Sequence, residues 1–148
     1  MDNNNSVIID SDTSTFRIDI VDGKNNVRSF NNLPKYTKHK NVVKVFKEDH
    51  THDIKGEYSY SSDIYNGYEL RYDVDDKLIG LEIYPYPGRV QLYYNNELIP
   101  DFPGELQDWI LVHDIDSLVE HLDSIVSINL GISIYGLYDN ENRKIIIY

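Results

Sequence analysis

Apolar and polar positions alternate with a period of two through the middle of the chain. Tyr68, Leu70, Tyr72 and Val74 alternate with Glu69, Arg71 and Asp73, and Ile79, Leu81 and Ile83 with Gly80 and Glu82. Val90, Leu92 and Tyr94 repeat the pattern around Gln91 and Tyr93. This period belongs to a strand with one buried face. A two-residue turn at Asp75-Asp76 pairs Leu70 with Leu81, Tyr72 with Ile79 and Tyr68 with Ile83. A four-residue turn, Pro85-Tyr86-Pro87-Gly88, pairs Ile83 with Val90 and Leu81 with Leu92. Both registers gather the apolar set on one face, and a slip of one residue would turn it to solvent. Residues 67–99 therefore predict a three-stranded antiparallel meander.

On either side the pattern changes. Residues 1–12 read as a flexible start, with a short strand at Val7-Ile8-Ile9, and residues 13–148 as one globular domain. Phe16, Ile18 and Ile20 alternate with Arg17, Asp19 and Val21 in a half-buried strand closed by Asp22-Gly23, and residues 27–30 return from it. Residues 42–46 read as another strand. Ile115, Leu118, Val119, Leu122, Ile125 and Val126 fall at i, i+3, i+4, i+7, i+10 and i+11, one stripe of an amphipathic helix over about 114–127. Asp114 is its N-cap candidate, and Asp116, Glu120, His121 and Asp123 occupy its wet face. Residues 130–137 and 143–148 form a closing hairpin. The expected class is α+β: a single antiparallel sheet of about six strands with that one helix packed on one face.

Composition narrows the partners more than the fold. The 148 residues carry a net charge of −11, and the charge is lopsided. Residues 57–148 hold 17 Asp/Glu against 5 Lys/Arg, whereas residues 1–56 are nearly neutral. An acidic surface repels nucleic acid and anionic membranes and attracts basic proteins. Cysteine is absent, which excludes disulfides, thiolate nucleophiles and Cys-ligated zinc. The polar N-terminus has no apolar h-region, so a soluble, cytoplasmic protein is expected. The thirteen tyrosines favour a sheet-rich fold.

Candidate chemistry is sparse. The meander register sets Glu69 opposite Glu82 on its outer face, with Gln91 alongside and Tyr84 and Tyr93 facing the same way. Like charges facing across a ladder are destabilising, and Arg71 and Arg89 are placed to relieve them on a solvated face. The same patch of acids and tyrosines suits a basic protein partner. Asp101, Phe102, Asp108 and Trp109 lie in a Pro-stiffened acidic stretch that either anchors an interface or caps the core. In an extended segment His50 and His52 point to one side, but His39, His113 and His121 stand at no motif spacing from them, so a solvated loop is expected there rather than a metal. Lys35, Lys38, Lys40, Lys44 and Lys47 form a stripe without acids, expected to pair with the acidic half or to orient a partner. No G-x-S-x-G, G-x-x-x-x-G-K or G-x-G-x-x-G motif occurs.

The reading that follows is a small acidic, non-catalytic binding protein without a cofactor. Only in size and charge does it resemble bacterial immunity proteins and antitoxins. It would neutralise a basic partner such as a nuclease toxin through Glu69, Glu82, Tyr84, Tyr93, Asp101, Phe102, Asp108 and Trp109. Two alternatives are a phage or mobile-element protein that sequesters a ligand or blocks host defence, and a small hydrolase or nuclease using His39, His50 or His52.

Overall fold

The computed structural model describes residues 6–11, 15–21, 24–54, 61–85, 90–100, 103–114, 116–139 and 141–148. The fold is mostly β, with two sheets rather than one. The first sheet contains β1 (Ser6–Ser11), β2 (Thr15–Val21), β3 (Val27–Pro34), β8 (Val90–Tyr94) and β9 (Glu97–Leu98), in the order β3-β2-β1-β8-β9. The second contains β4 (Thr51–Ile54), β5 (Ser61–Ile64), β6 (Tyr68–Tyr72), β7 (Leu78–Ile83), β10 (Leu118–His121), β11 (Ser124–Ser127), β12 (Ile132–Tyr135) and β13 (Lys144–Ile147). Its order is β10-β11-β12-β13-β7-β6-β5-β4. All pairings are antiparallel except that of β1 with β8. Two helices, α1 (His39–Val45) and α2 (Pro103–His113), complete the described elements. Among the described residues, no helix is long and apolar enough to cross a membrane.

The β6–β7 hairpin forms nearly in the expected register. Tyr68 pairs with Ile83, Glu69 with Glu82 and Leu70 with Leu81, but a bulge between Arg71 and Tyr72 sets Tyr72 opposite Leu78 instead of Ile79. Asp73 shapes the turn, its Oδ1 accepting the backbone N–H groups of Asp75 and Lys77 at 2.9 Å each. The third strand of the meander is a correction. β8 leaves for the other sheet, where Val7 pairs with Val90 and Ile9 with Leu92. The place beside β7 belongs to β13, with Ile145 opposite Ile83 and Ile147 opposite Leu81. Alternation fixes which side chains of β8 turn inward but not which strand lies alongside, so both pairings satisfy it. The short strand expected at Val7-Ile8-Ile9 is present and longer, and Ser6–Ser11, instead of belonging to a flexible start, joins β2 to β8.

Two further expectations are overturned. The helix over 114–127 is instead the β10–β11 hairpin, with Leu118 opposite Ser127 and His121 opposite Ser124. The 114–127 segment includes Val119, Ile125, Val126 and three serines, all weak helix formers, and a helical stripe over so short a stretch also admits period-two readings. Asp114 caps a turn rather than a helix: its Oδ1 accepts the Ser117 N–H at 3.0 Å. Conversely, residues 42–46, expected as a strand, belong to α1 and its C-cap. Val42 and Phe46 are fully buried while Val45 is exposed, and that i, i+4 spacing is helical. The expected alternation of β2 and the closing hairpin of β12 and β13 are both present. One contiguous core joins the sheets: Ile9, Phe16 and Ile18 from the first, Leu70, Leu81 and Ile83 from the second, Phe46 after α1, and Leu106 and Ile110 from α2.

Candidate functional site

Of the residues expected to form the contact surface, Glu69 and Glu82 do face each other across β6–β7, but the face they share is covered. They are only 7 % and 5 % exposed, so they do not form the open carboxylate patch. Their surroundings suit a buried charge. Lys144 Nζ lies 3.2 Å from Glu82 Oε1, and the Tyr84 hydroxyl donates to Glu82 Oε2 at 3.1 Å. Burial pushes the Glu82 carboxyl up, yet hydrogen bonds from Glu69, Lys144 and Tyr84 outweigh it and hold the group below its usual range. Burial, with the Glu82 and Glu69 charges next, drives the Tyr84 phenol well above its ordinary value.

The remaining predicted contacts do not gather with this pair. Tyr93 and Gln91 sit in the other sheet, opposite Asp10 and Ile8 of β1. Asp101 and Phe102 lie outside the described residues, as does Arg89. Asp108 is exposed on α2. Trp109, the next residue of the same helix, is buried and takes the packing role. Its indole N–H donates to Glu97 Oε1 at 3.1 Å, and His113 stacks on it with ring centroids 4.1 Å apart. Both ring nitrogens of His113 face acceptors, the Trp109 carbonyl at 2.7 Å and Glu97 Oε2 at 3.0 Å. The hydrogen bond to the Trp109 carbonyl, with burial opposing it and Glu97 adding to it, raises the His113 imidazolium above its ordinary value.

The exposed acids and apolar side chains collect instead along α2 and the β10–β11 hairpin. Asp116, Glu120 and Asp123 are exposed there, together with Val112, Val119, Leu122 and Ile128. Asp114 ties the end of α2 to the base of β11, accepting from the Ser127 hydroxyl at 2.5 Å and from Asn129 Nδ2 at 3.2 Å. The Ser117 hydroxyl also donates to it. The Ser117 and Ser127 hydroxyls and the Ser117 N–H hold this carboxyl far below its usual range.

A second cluster forms at the opposite edge of the eight-stranded sheet, where His39, His50 and His52 converge on Asp63. Strand pairing places His52 opposite Asp63, and the start of α1 brings His39 over them. Asp63 is fully buried. Its Oδ1 lies 2.7 Å from His52 Nδ1, 2.9 Å from His39 Nε2 and 3.7 Å from His50 Nε2, and its Oδ2 accepts the Tyr72 hydroxyl at 2.8 Å. The His39 and His52 rings stack at 4.3 Å, and His39 meets the Tyr72 ring edge-on. Burial first, and the Asp63 charge next, push the phenols of Tyr72 and Tyr65 well above their ordinary values. Sequence spacing had linked only His50 and His52. Asp63 sits in Ser61–Ile64, a polar strand without alternation, and His39 is 13 residues from His52, so only the fold unites them. The cluster offers oriented imidazoles for proton transfer and, in its donor atoms, a set of ligands for a cation.

Of the lysine stripe, Lys38, Lys40, Lys44 and Lys47 are exposed on and around α1, while Lys35 donates to the Tyr148 carbonyl. No family model, curated protein or solved structure matches this chain.

Proposed function

We propose that the protein is a small acidic, non-catalytic binding protein that neutralises a basic protein partner, in the manner of an immunity protein or antitoxin acting on a nuclease toxin. The contact surface in this reading is the β10 edge and the end of α2, with Asp108 retained from the expected set. β10 ends the strand order of its sheet. A terminal strand offers backbone donors and acceptors to an incoming chain, and proteins that must avoid this place lysine there. Here the edge carries Glu120, flanked by Asp116 and Asp123, which favours a cationic segment and disfavours an acidic one.

The observation that carries the reading is Leu122. It is 89 % exposed at the tip of the hairpin and has φ 44°. It occupies the first of the two turn positions between His121 and Ser124, where glycine is the favoured residue. A left-handed conformation costs a non-glycine residue about 1–2 kcal/mol. A large apolar side chain held out in solvent at that cost, beside carboxylates, suits an anchor for a partner.

Binding kinetics against purified cationic nuclease domains test this, with polylysine as the control for charge alone. In the supporting result association slows steeply as salt rises, Glu120→Lys with Asp123→Lys lowers the on-rate, and Leu122→Asp raises the off-rate for the nuclease but not for polylysine. Affinity indifferent to all three changes overturns the reading.

A further inference from the structure

We propose that His39, His50, His52 and Asp63 together hold one divalent transition-metal ion, zinc by its ligand preference, as a structural staple at the β4 edge. The site is separate from the β10 edge and does not depend on the partner-binding reading.

The donor atoms already converge. Those of His39, His52 and Asp63 lie within 4.8 Å of one another. Zinc bonds of about 2.0–2.2 Å in a tetrahedron put neighbouring ligand atoms roughly 3.3–3.6 Å apart. The distances from Asp63 Oδ1 to the three imidazoles, 2.9, 3.7 and 2.7 Å, bracket that spacing. Admitting the ion requires His39 and His52 to withdraw by about 0.5–0.8 Å to reach it. Both rings are partly exposed, at 24 % and 33 %, rather than enclosed on every side. In neutral rings the N–H now facing Asp63 passes to the other ring nitrogen, so the lone pair turns to the metal.

His50 supplies an independent argument. Its Nδ1 lies 2.7 Å from the Glu48 carbonyl, which can only accept, so Nδ1 carries the hydrogen. In the neutral ring the lone pair is then on Nε2, the atom 3.7 Å from an oxygen of a fully buried carboxylate, close to the spacing of two atoms that ligate one zinc ion. A backbone carbonyl behind a histidine and a hydroxyl behind a carboxylate are also the supports that orient metal ligands. Glu48 and Tyr72 provide them here.

The donor set selects the metal. Three imidazoles and one carboxylate without thiolate suit a borderline ion such as zinc over calcium or magnesium. Four protein ligands complete a tetrahedron, the closed arrangement of a structural site. The mechanical role follows from the elements joined: the start of α1, the segment before β4, β4 itself and β5. β4 is a terminal strand whose side chains are mostly exposed, and α1 has no side-chain N-cap, so a shared ion would tie the start of α1 to the edge strand.

The full chain, dialysed against a chelator, is titrated with zinc chloride by calorimetry, and cobalt chloride is added separately for visible spectroscopy. The supporting result is one zinc per chain, a raised thermal midpoint and the intense visible bands of tetrahedral cobalt. His50→Gln and His52→Gln, both at partly exposed side chains, then abolish the midpoint shift, whereas His121→Gln at the other edge leaves it intact. Tyr72→Phe weakens zinc binding by about 10-fold or more. No zinc-dependent shift in the unaltered protein, octahedral cobalt bands, or binding indifferent to His50→Gln and His52→Gln overturns the proposal. The cobalt spectrum of the unaltered chain needs no variant, so a misfolded mutant cannot hide the answer.

Discussion

Glu69 lies directly opposite Glu82 across the β6–β7 ladder, and both carboxyls are buried. Glu82 is paired with Lys144 at 3.2 Å, and the side-chain hydrogen bonds of Glu69, Lys144 and Tyr84 hold its carboxyl below the usual range against the cost of burial. Glu82→Gln removes the ion pair with the partly exposed Lys144 ammonium and should cost about 1 kcal/mol in urea unfolding at neutral pH. Glu69→Gln keeps a donor and should cost less. Because the Glu82 carboxyl is held below its usual range, its contribution is full above the ordinary carboxyl pKa and fades as pH falls through the depressed value. The acid limb of stability against pH should therefore flatten in Glu82→Gln.

Gly80 marks a close approach between strands. A Cβ built there would lie 2.4 Å from the Ile147 carbonyl oxygen, so any side chain pushes β13 away from β7. Gly80→Ala should destabilise by about 1–3 kcal/mol, the usual cost of overpacking. Gly104, in the first turn of α2, has nothing within 4 Å of its would-be Cβ. Gly104→Ala should be neutral or stabilise by about 0.5–1 kcal/mol. Thermal unfolding of the two variants side by side separates steric contact from helix propensity.

His113 gives the chain a pH response of the opposite sign. Its folded pKa lies above the ordinary imidazole value because it donates to the Trp109 carbonyl and to Glu97. The stabilisation is therefore complete below the unfolded pKa of about 6.5 and lost as pH rises through the folded value. His113→Gln should remove that loss, seen as thermal midpoints that change less from weakly acidic to weakly alkaline buffer. Glu97→Gln should shrink it in part, since the Trp109 carbonyl remains.

Leu122 separates stability from binding. Leu122→Gly relieves the positive φ and should raise stability by up to about 1 kcal/mol, less the extra freedom of glycine in the unfolded chain. If the hairpin tip is a partner anchor, the same change accelerates dissociation from the basic nuclease domain. Unfolding curves and dissociation rates on one sample read both effects, and a stabilised variant with unaltered dissociation argues against the anchor.

The local pattern was enough to find β2, the β6–β7 hairpin with Glu69 facing Glu82, and the closing pair β12 and β13. Each is a contiguous alternating run, and neighbouring runs joined by short turns pair with each other. It failed where two periods fit the same residues. In the 114–127 segment the stripe of Ile115, Leu118, Val119, Leu122, Ile125 and Val126 reads as a helix, but a tight turn at Leu122-Asp123 folds it into strands. Around α1, Val42 and Phe46 are as compatible with a helix as with a strand until burial chooses.

What the amino-acid order determined by itself was composition, charge, the absence of thiol chemistry and the inward set of most strands, because these depend on residues near one another in the chain. Tertiary structure alone decided that β13 rather than β8 lies beside β7, and that the Glu69–Glu82 pair, placed in solvent by alternation, is buried. It also decided that His39, His50 and His52 meet at Asp63. The two outcomes share one cause: side-chain periodicity specifies which face a residue turns to, whereas the strand or helix that covers that face is chosen by packing between distant segments.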